Sequence, residues 1–459
     1  MGGRALVGGR LLGGLSRLGG PKFGERRLTV WGRLGRHAVL RRHIVDGRAT
    51  MVLRDLRNGE LLVMSDDEWR VLSVSAGHTS EQIQALLGGA YPQSSIDAFR
   101  EQLEARDLFS TPGQASGRPD GPSRDGAPRS LVPSRTTIDV LPDFRLRCHG
   151  GGTCCRLFDT ILFRPEERAR ALRVLPMAKH PPGLGFAPIR GGPGPGAALA
   201  TPSLREGACV YLRDTRRCGL EERGGSDAKP LGCRLYPAHF VDDGEALRVS
   251  VSVECTCVLS SLDADGGDPL VPPALLEDGP DPGIAVEALA PDAMLRALRR
   301  DALAFDGDPV AHLLAVGDAL SGEASLDGAL SQLAVDLSAA ACDLDRFRAP
   351  GDLARRSVRQ VAEAASVIVD EGLRPMLIER GPVRPSREEF YLRAGAHAYR
   401  LFAGGRAGVF RRIARLLVAR LLALFGNGDV DADPIFSEPL ALVEAVDRAY
   451  GLTRGRSWT

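Results

Sequence analysis

From about residue 283 to 459, apolar residues recur at three- and four-residue spacing in "VEALAPDAMLRALRRDALAF", "DPVAHLLAVGDAL", "LDGALSQLAVDLSAAACDL" and "ARRSVRQVAEAASVIVDEGL". That period gives each segment one apolar stripe and predicts helices, punctuated by Gly and Pro and assembled as a bundle. "VFRRIARLLVARLLALF" (409–425) adds a basic amphipathic helix whose apolar face is expected to look into the bundle. Residues 37–110 follow a different pattern. "ATMVLRD" and "ELLVM" are short apolar runs flanking "LRNG", where Asn58–Gly59 suits a hairpin because both residues tolerate positive φ. Ser65 with Glu68 reads as a capping box. Thr79 or Ser80 caps "EQIQALLG", Gly88–Gly89 stops it, and Ile96, Phe99, Leu103 and Leu108 lie near one helical face. The expected order is two strands and three short helices, a small winged-helix-like unit.

Residues 111–136 are a linker: 13 of these 26 residues are Gly, Pro or Ser, which build no core. In residues 137–262, "TIDVLP" and "ALRVSVSVEC" alternate like strands, and "RPEERARALRVL" is a helix started by Pro165. "HPPGLGFAPIRGGPGPGAALATP" is read as loop, and its "GGPGPG" lacks the Lys-Ser/Thr of a phosphate loop. The fold class expected is α+β and multidomain. A basic, disordered arm (1–36) precedes the winged-helix-like unit (37–110), the linker (111–136), an irregular Cys-rich metal domain (137–262) and a helical bundle (283–459).

Charge sharpens this division. The chain of 459 residues has a net charge of only +1, so no global field points to nucleic acid or to a membrane surface. Residues 1–54 alone carry 11 Arg and one Lys against Glu25 and Asp46. Only Lys22, Lys179 and Lys229 are lysines, so 56 of the 59 basic residues are arginine, a bias of composition that weakens any phosphate-binding reading of Arg-rich stretches. "LLVARLLALF" is ten residues interrupted by Arg420, too short to span a bilayer. These features predict a cytoplasmic protein with no membrane span and no nucleic-acid partner.

The cysteines carry the chemistry. Eight of nine fall between Cys148 and Cys257: Cys148, Cys154, Cys155, Cys209, Cys218, Cys233, Cys255 and Cys257. Cys342 stands apart in a predicted helix, where a buried free thiol is the default. In a reducing compartment such concentration argues for metal or catalysis over disulfides. Thiolates are the usual ligands of zinc and of iron–sulfur clusters, yet no Cys-x2-Cys knuckle names the metal. In "CHGGGTCC" the glycines let the backbone fold around an ion and aim N–H groups at sulfur. His149, His180 and His239 are weaker ligand candidates, and Arg234 and Tyr236 are candidates for contacts around the ligands. Disulfides and plain cysteine packing remain alternatives at this point.

Three resemblances bear on function. "NGELLVMSDDEWRVL…EQLEARDLF" resembles the PqqD-like fold, which implies a peptide or protein partner for the N-terminal unit. "FRLRCHGGGTCCR", "GACVYLRDTRRCGL" and "KPLGCRLYPAHFVDDGEALRVSVSVEC" resemble the YkgJ-type cysteine-cluster family, described as zinc- or iron-chelating. Its opening Cys-x2-Cys-x2-Cys-Cys maps onto Cys148, Gly151, Cys154 and Cys155, so the second cysteine is replaced by Gly151. The resemblance implies Cys209, Cys218, Cys233 and one of Cys255 or Cys257 as further ligands, with Cys257 standing in for the lost thiol. "CRLYP" (233–237) is also similar to the FliB-type flagellin lysine N-methylases, which implies an iron–sulfur cluster and protein-lysine methylation. No Cys-x3-Cys-x2-Cys triad and no strand–Gly-loop–helix unit for S-adenosylmethionine accompanies it. The expectation is therefore a metal ion or iron–sulfur cluster serving redox or peptide modification. The competing expectation is an interaction scaffold held together by structural zinc.

Overall fold

The computed structural model describes residues 31, 38–45, 48–55, 61–75, 77–109, 137–157, 161, 163–176, 186–189, 199–271, 286–346, 351–425 and 433–450. The Asn58–Gly59 turn, the linker, the "GGPGPG" segment, His180 and all of the basic arm except Trp31 lie outside them. In chain order the first elements are β1 (Ala38–Val45), β2 (Arg48–Asp55), β3 (Leu61–Met64), α1 (Asp66–Ser75), α2 (Ser80–Leu86) and α3 (Gln93–Ala105). The middle region holds β4 (Thr137–Val140), β5 (Arg145–Leu146), α4 (Thr153–Leu157), α5 (Pro165–Val174), β6 (Phe186–Ile189), β7 (Leu199–Pro202), β8 (Leu204–Arg205) and β9 (Ala208–Cys209). It continues with α6 (Gly219–Gly224), α7 (Leu231–Leu235), β10 (Ala238–Asp242), β11 (Ala246–Val251), α8 (Thr256–Ser260), β12 (Asp268–Pro269) and β13 (Val286–Ala288). The helical region runs α9 (Ala293–Ala304), α10 (Pro309–Ala319), α11 (Leu326–Arg346), α12 (Gly351–Asp370), α13 (Arg374–Arg380), α14 (Pro385–His397), α15 (Gly405–Phe425) and α16 (Pro439–Tyr450). The protein is thus mixed α and β with a helical C-terminal region.

The chain divides into two units. One comprises residues 1–125 and 160–210, the other 126–159 and 211–459. The cysteine-rich span therefore contributes to both, and most of it shares a unit with the helical region.

In the first unit, β1, β2 and β3 form an antiparallel meander, with Ala38 opposite Asp55 and Met51 opposite Met64. The short β8 extends the sheet by pairing parallel to β1, giving the order β3-β2-β1-β8-β9. Three strands stand where two were expected. Arg41, Arg42 and His43 interrupt the alternation of β1, and its pairing with β2 overrides that weak local pattern. The segment read as loop contains the β6–β7 hairpin, with Phe186 opposite Pro202. The core gathers Met51, Leu53, Ile83, Ile96, Phe99, Leu103 and Leu108. Trp31 joins it: buried among these residues, it donates from Nε1 to Ser80 Oγ at 3.1 Å, so part of the expected arm belongs to the packed unit. The capping box is formed, since Glu68 accepts from Ser65 N at 2.7 Å and Ser65 Oγ accepts from Glu68 N at 3.2 Å. Ser65→Ala is expected to cost about 1 kcal/mol, read as a lower urea midpoint of the tryptophan fluorescence in a full chain whose Trp69 and Trp458 are replaced by Phe.

The second unit has one continuous core. Leu141, Phe144 and Val249 from the strand region cluster with Leu313, Leu337, Val361, Leu416 and Val443 from the helices. Its sheet runs β13-β10-β11-β4, with β10 antiparallel to β11 and the outer pairs parallel. β13 falls inside the stretch read as the start of the first bundle helix; Asp292, whose side chain accepts from Leu295 N at 2.8 Å, marks where that helix begins. Helix α15 is the centre of the bundle, packing on α10, α11, α12 and α16. Its polar face does not look to water. Arg412, Arg415 and Arg420 are buried, and Arg415 and Arg420 are paired with carboxylates of neighbouring helices.

Candidate metal centre

Four short segments of the second unit carry thiols to one region. The first follows β5. Arg147 N donates to Ser261 Oγ at 2.8 Å, and Ser261 Oγ donates to the Cys257 carbonyl at 2.5 Å. That stitch lays Cys148 beside α8, and the sulfurs of Cys148 and Cys257 stand 3.9 Å apart. Pairing of β5 with β12, Leu146 opposite Asp268, holds the same segment from its other side.

The glycines that follow are required by shape. Gly152 has φ +66°, and a Cβ there would lie 2.7 Å from the Arg216 carbonyl oxygen and 2.9 Å from Leu212 Cδ1. Gly152→Ala is expected to lose about 1–2 kcal/mol from the left-handed backbone alone, with the clash in addition. A fall in the thermal midpoint of the helical far-UV signal checks it. At Gly151 a Cβ would meet His149 Cε1 at 2.7 Å. The His149 ring takes the space that a side chain at Gly151 would use.

The turn then enters α4, which carries Cys154 and Cys155. Arg156 holds this helix by donating from Nη2 to the Gly151 carbonyl at 2.8 Å and by an ion pair to Asp433. Asp433 is buried, pairs also with Arg216 at 3.6 Å, and accepts from Ile435 N at 3.3 Å. The third segment, around α8, places Cys255 at the helix N-cap and Cys257 inside the first turn. Buried Glu254 is paired with Arg448 of α16, which ties this segment to the bundle. The fourth brings Cys218, at the N-cap of α6, and Cys233, inside α7.

Electrostatics shows how these thiols are grouped. The contact with Cys257, then burial, pushes the Cys148 thiol up. At Cys257 the contact with Cys148 acts downward, but the contact with Cys255 and burial outweigh it and push the thiol up to about 12. Cys154 is pulled down, first by its contact with Cys155. Tyr236, at the end of α7, is raised by burial and then by the charges of Cys255 and Cys154, so its phenol sits among these thiols. Lys229 sits in the same field. Burial acts to lower it, but Glu221 at 3.2 Å, followed by Cys218 and Cys233, outweighs burial and raises it. It acts in turn on Cys148 and Cys154.

Seven of the eight expected ligands therefore lie in the second unit: Cys154, Cys255 and Cys257 about Tyr236, Cys148 beside Cys257, Cys155 beside Cys154, and Cys218 and Cys233 about Lys229. Cys209 lies in the first unit, buried in β9 opposite Leu204. Cys342 is on α11 as expected but is exposed, and all nine cysteines are free thiols. Among the described residues, no group of three or more His, Cys, Asp or Glu side chains stands as a ready-made metal-holding set. His149 Nε2 faces Thr256 Oγ1 at 3.5 Å, and His239 is 3.6 Å from Glu287. Arg234 pairs outward with Asp227 at 3.3 Å.

Sequence reasoning passed over Lys229, Arg156, Asp433 and the Glu254–Arg448 pair. A signal existed for Lys229 alone, as one of three lysines in a chain whose basic residues are otherwise arginine. No family model, curated protein or solved structure matches the chain.

Proposed function

We propose that the thiols of the second unit bind a metal ion or iron–sulfur cluster, and that this centre serves redox chemistry or the modification of a protein or peptide. The observation that carries the reading is the 3.9 Å separation of the Cys148 and Cys257 sulfurs, which come from segments 109 residues apart. Two thiolates sharing a tetrahedral zinc at about 2.3 Å each stand about 3.8 Å apart, so this pair already has the spacing of two ligands on one centre. The donor chemistry fits as well. Free thiols in such number favour a soft or borderline cation, and the hard ions that prefer oxygen have little to bind here. Cys148, Cys257, Cys255 and Cys154 would hold the group, with Cys155, Cys218 and Cys233 completing the set. When bound it supplies either a redox-active cluster or a closed structural ion.

The chain's own residues do the positioning. Ser261 fixes Cys148 against α8, Arg156 with Asp433 orients α4, and Lys229 offsets thiolate charge. The first unit, with its own core, takes the part of recognising a peptide or protein. The test is metal analysis of anaerobically purified full-length protein with its visible spectrum. Iron with sulfide and thiolate-to-iron absorption is the expected result. Stoichiometric zinc without colour would favour the scaffold instead. Protein free of both, and unable to take up either, would remove the proposal.

A further inference from the structure

Two deeply set guanidiniums in the second unit meet only neutral oxygens. Arg400, just after α14, donates from Nη1 to Ser252 Oγ at 2.6 Å. Arg412, in α15, donates from Nη1 to the carbonyls of Ala403 at 3.2 Å and Gly408 at 3.0 Å. Among the described residues no carboxylate lies within ion-pair distance of either. Their neighbours differ. Arg411 is held by Asp336 and Asp447, Arg415 by Glu444 and Asp447, and Arg448 by Glu254. Glu444 is further engaged by the Tyr391 hydroxyl at 2.9 Å. The acids of this layer are thus ion-paired to other arginines; Glu444 acts on Arg400 and Arg412, and Glu287 on Arg400, only from beyond ion-pair distance.

A buried cation without an ion-pair partner is costly, and arginine does not relieve the cost by losing its proton. Burial opposes the charge of both groups, as the downward shift of each records. The natural complement is an anion that enters from outside. A route exists. Arg400, Tyr236 and His239 are closely surrounded yet keep part of their surface accessible, and the Arg448 side chain is 41 % exposed. They lie within range of one another's charges. Tyr236 is within the field of Arg448, and His239 is within the fields of both Arg400 and Arg448. Burial, then those two cations, pushes His239 down to about 3, so it is neutral near pH 7 and available as a hydrogen-bonding wall. Partly accessible and within range of one another, these residues are the candidate lining of a recess. At its Tyr236 end the recess reaches Cys154 and Cys255.

We propose that this recess binds an oxyanion, the carboxylate or phosphate of a small molecule or side chain, with Arg400 as its principal partner, Arg412 reinforcing the field and Arg448 at the mouth. The anion lies beside the thiols, where it anchors a substrate whose remaining part faces them. The site stands on the arginines and is independent of whether the thiols hold metal.

Calorimetric titration of the full-length protein at low ionic strength, with sodium phosphate and separately sodium acetate, is expected to show one saturable site for at least one of them. Arg400→Gln should weaken it by roughly ten- to hundredfold, the ratio for losing a hydrogen bond to a charged group. Arg374→Gln, a change at an arginine paired with Asp327 elsewhere in the bundle, should leave binding unchanged. Since Arg400→Gln itself could impair folding, a second measurement uses the unaltered protein: arginine modification by phenylglyoxal, mapped by peptide mass spectrometry. Arg400 should react, and phosphate or acetate should protect it while Arg374 is unprotected; which of the two protects identifies the anion class. No saturable binding, binding indifferent to Arg400→Gln in a folded variant, an Arg400 that never reacts, or reactivity unmoved by both anions would each overturn the site.

Discussion

Cys257→Ser and Cys148→Ser, purified without oxygen, are each expected to carry less than about a tenth of the metal bound by the unaltered protein, whereas Cys342→Ser keeps all of it. Serine preserves size, but its hydroxyl is a hard, weakly acidic donor that does not replace a thiolate on zinc or iron–sulfur iron. Losing a residue that only orients a ligand lowers metal affinity about 10- to 100-fold, so losing a ligand itself should cost at least as much. Cys342 is the right control because it is exposed on a helix apart from the other thiols. The two test positions come from different segments and meet at 3.9 Å, so agreement between them reports a shared centre. Normal loading in both variants would exclude this pair from the ligand set and leave the proposed centre without its main support. Normal loading in one alone would remove that residue from the ligand set and keep the other as a ligand, with the centre completed from Cys154, Cys155 and Cys255.

The sequence made the helical region and the local signals of the first unit readable for physical reasons. Three- and four-residue apolar spacing is a property of a single segment, and so is a capping box; neither depends on a distant partner. Pro165 begins α5 as its fixed φ requires. What escaped depends on tertiary partners. β1 exists because β2 pairs with it along eight residues, despite Arg41, Arg42 and His43. β6 and β7 lie in a Gly- and Pro-rich stretch, and only their mutual ladder makes them strands. The arginines of α15 made the helix read as basic and amphipathic; their carboxylate partners come from Glu388, Glu444 and Asp447, which no local pattern connects to them.

The candidate site divides the same way. That thiols are concentrated was visible in spacing. Which of them meet was not, because the meeting of Cys148 and Cys257 is made by a serine, Ser261, hydrogen-bonded to residues on both segments. The aspartate that secures α4, Asp433, lies 277 residues from Arg156, beyond the reach of any motif. The need for glycine at position 151 was equally hidden, since it is the neighbouring His149 ring that fills the space a side chain there would use.

The largest effect on stability is expected at Arg420, whose side chain is 1 % exposed in the middle of α15. It donates to Glu388 from Nε at 3.0 Å and from Nη2 at 2.7 Å, to the Leu377 carbonyl at 3.1 Å, and is paired with Asp308. Asp308 also accepts from Val310 N at 2.9 Å to cap α10, so one guanidinium joins α10, α13, α14 and α15. Arg420→Met keeps the volume and removes the charge. It leaves the Glu388 carboxylate, 6 % exposed, inside the protein without its cation, and breaking a buried pair from one side costs about 3–5 kcal/mol. The thermal or urea midpoint of the helical far-UV signal should fall accordingly. Arg359→Ala, which breaks an exposed pair with Asp345, should change stability by only about 0.5 kcal/mol. Adding Glu388→Gln to Arg420→Met removes the stranded charge, so the double variant should recover part of the loss, a coupling that two independent sites would not show. If Arg420→Met proves no worse than Arg359→Ala, the buried arginine is not what holds these four helices in register, and the bundle rests on its apolar contacts alone.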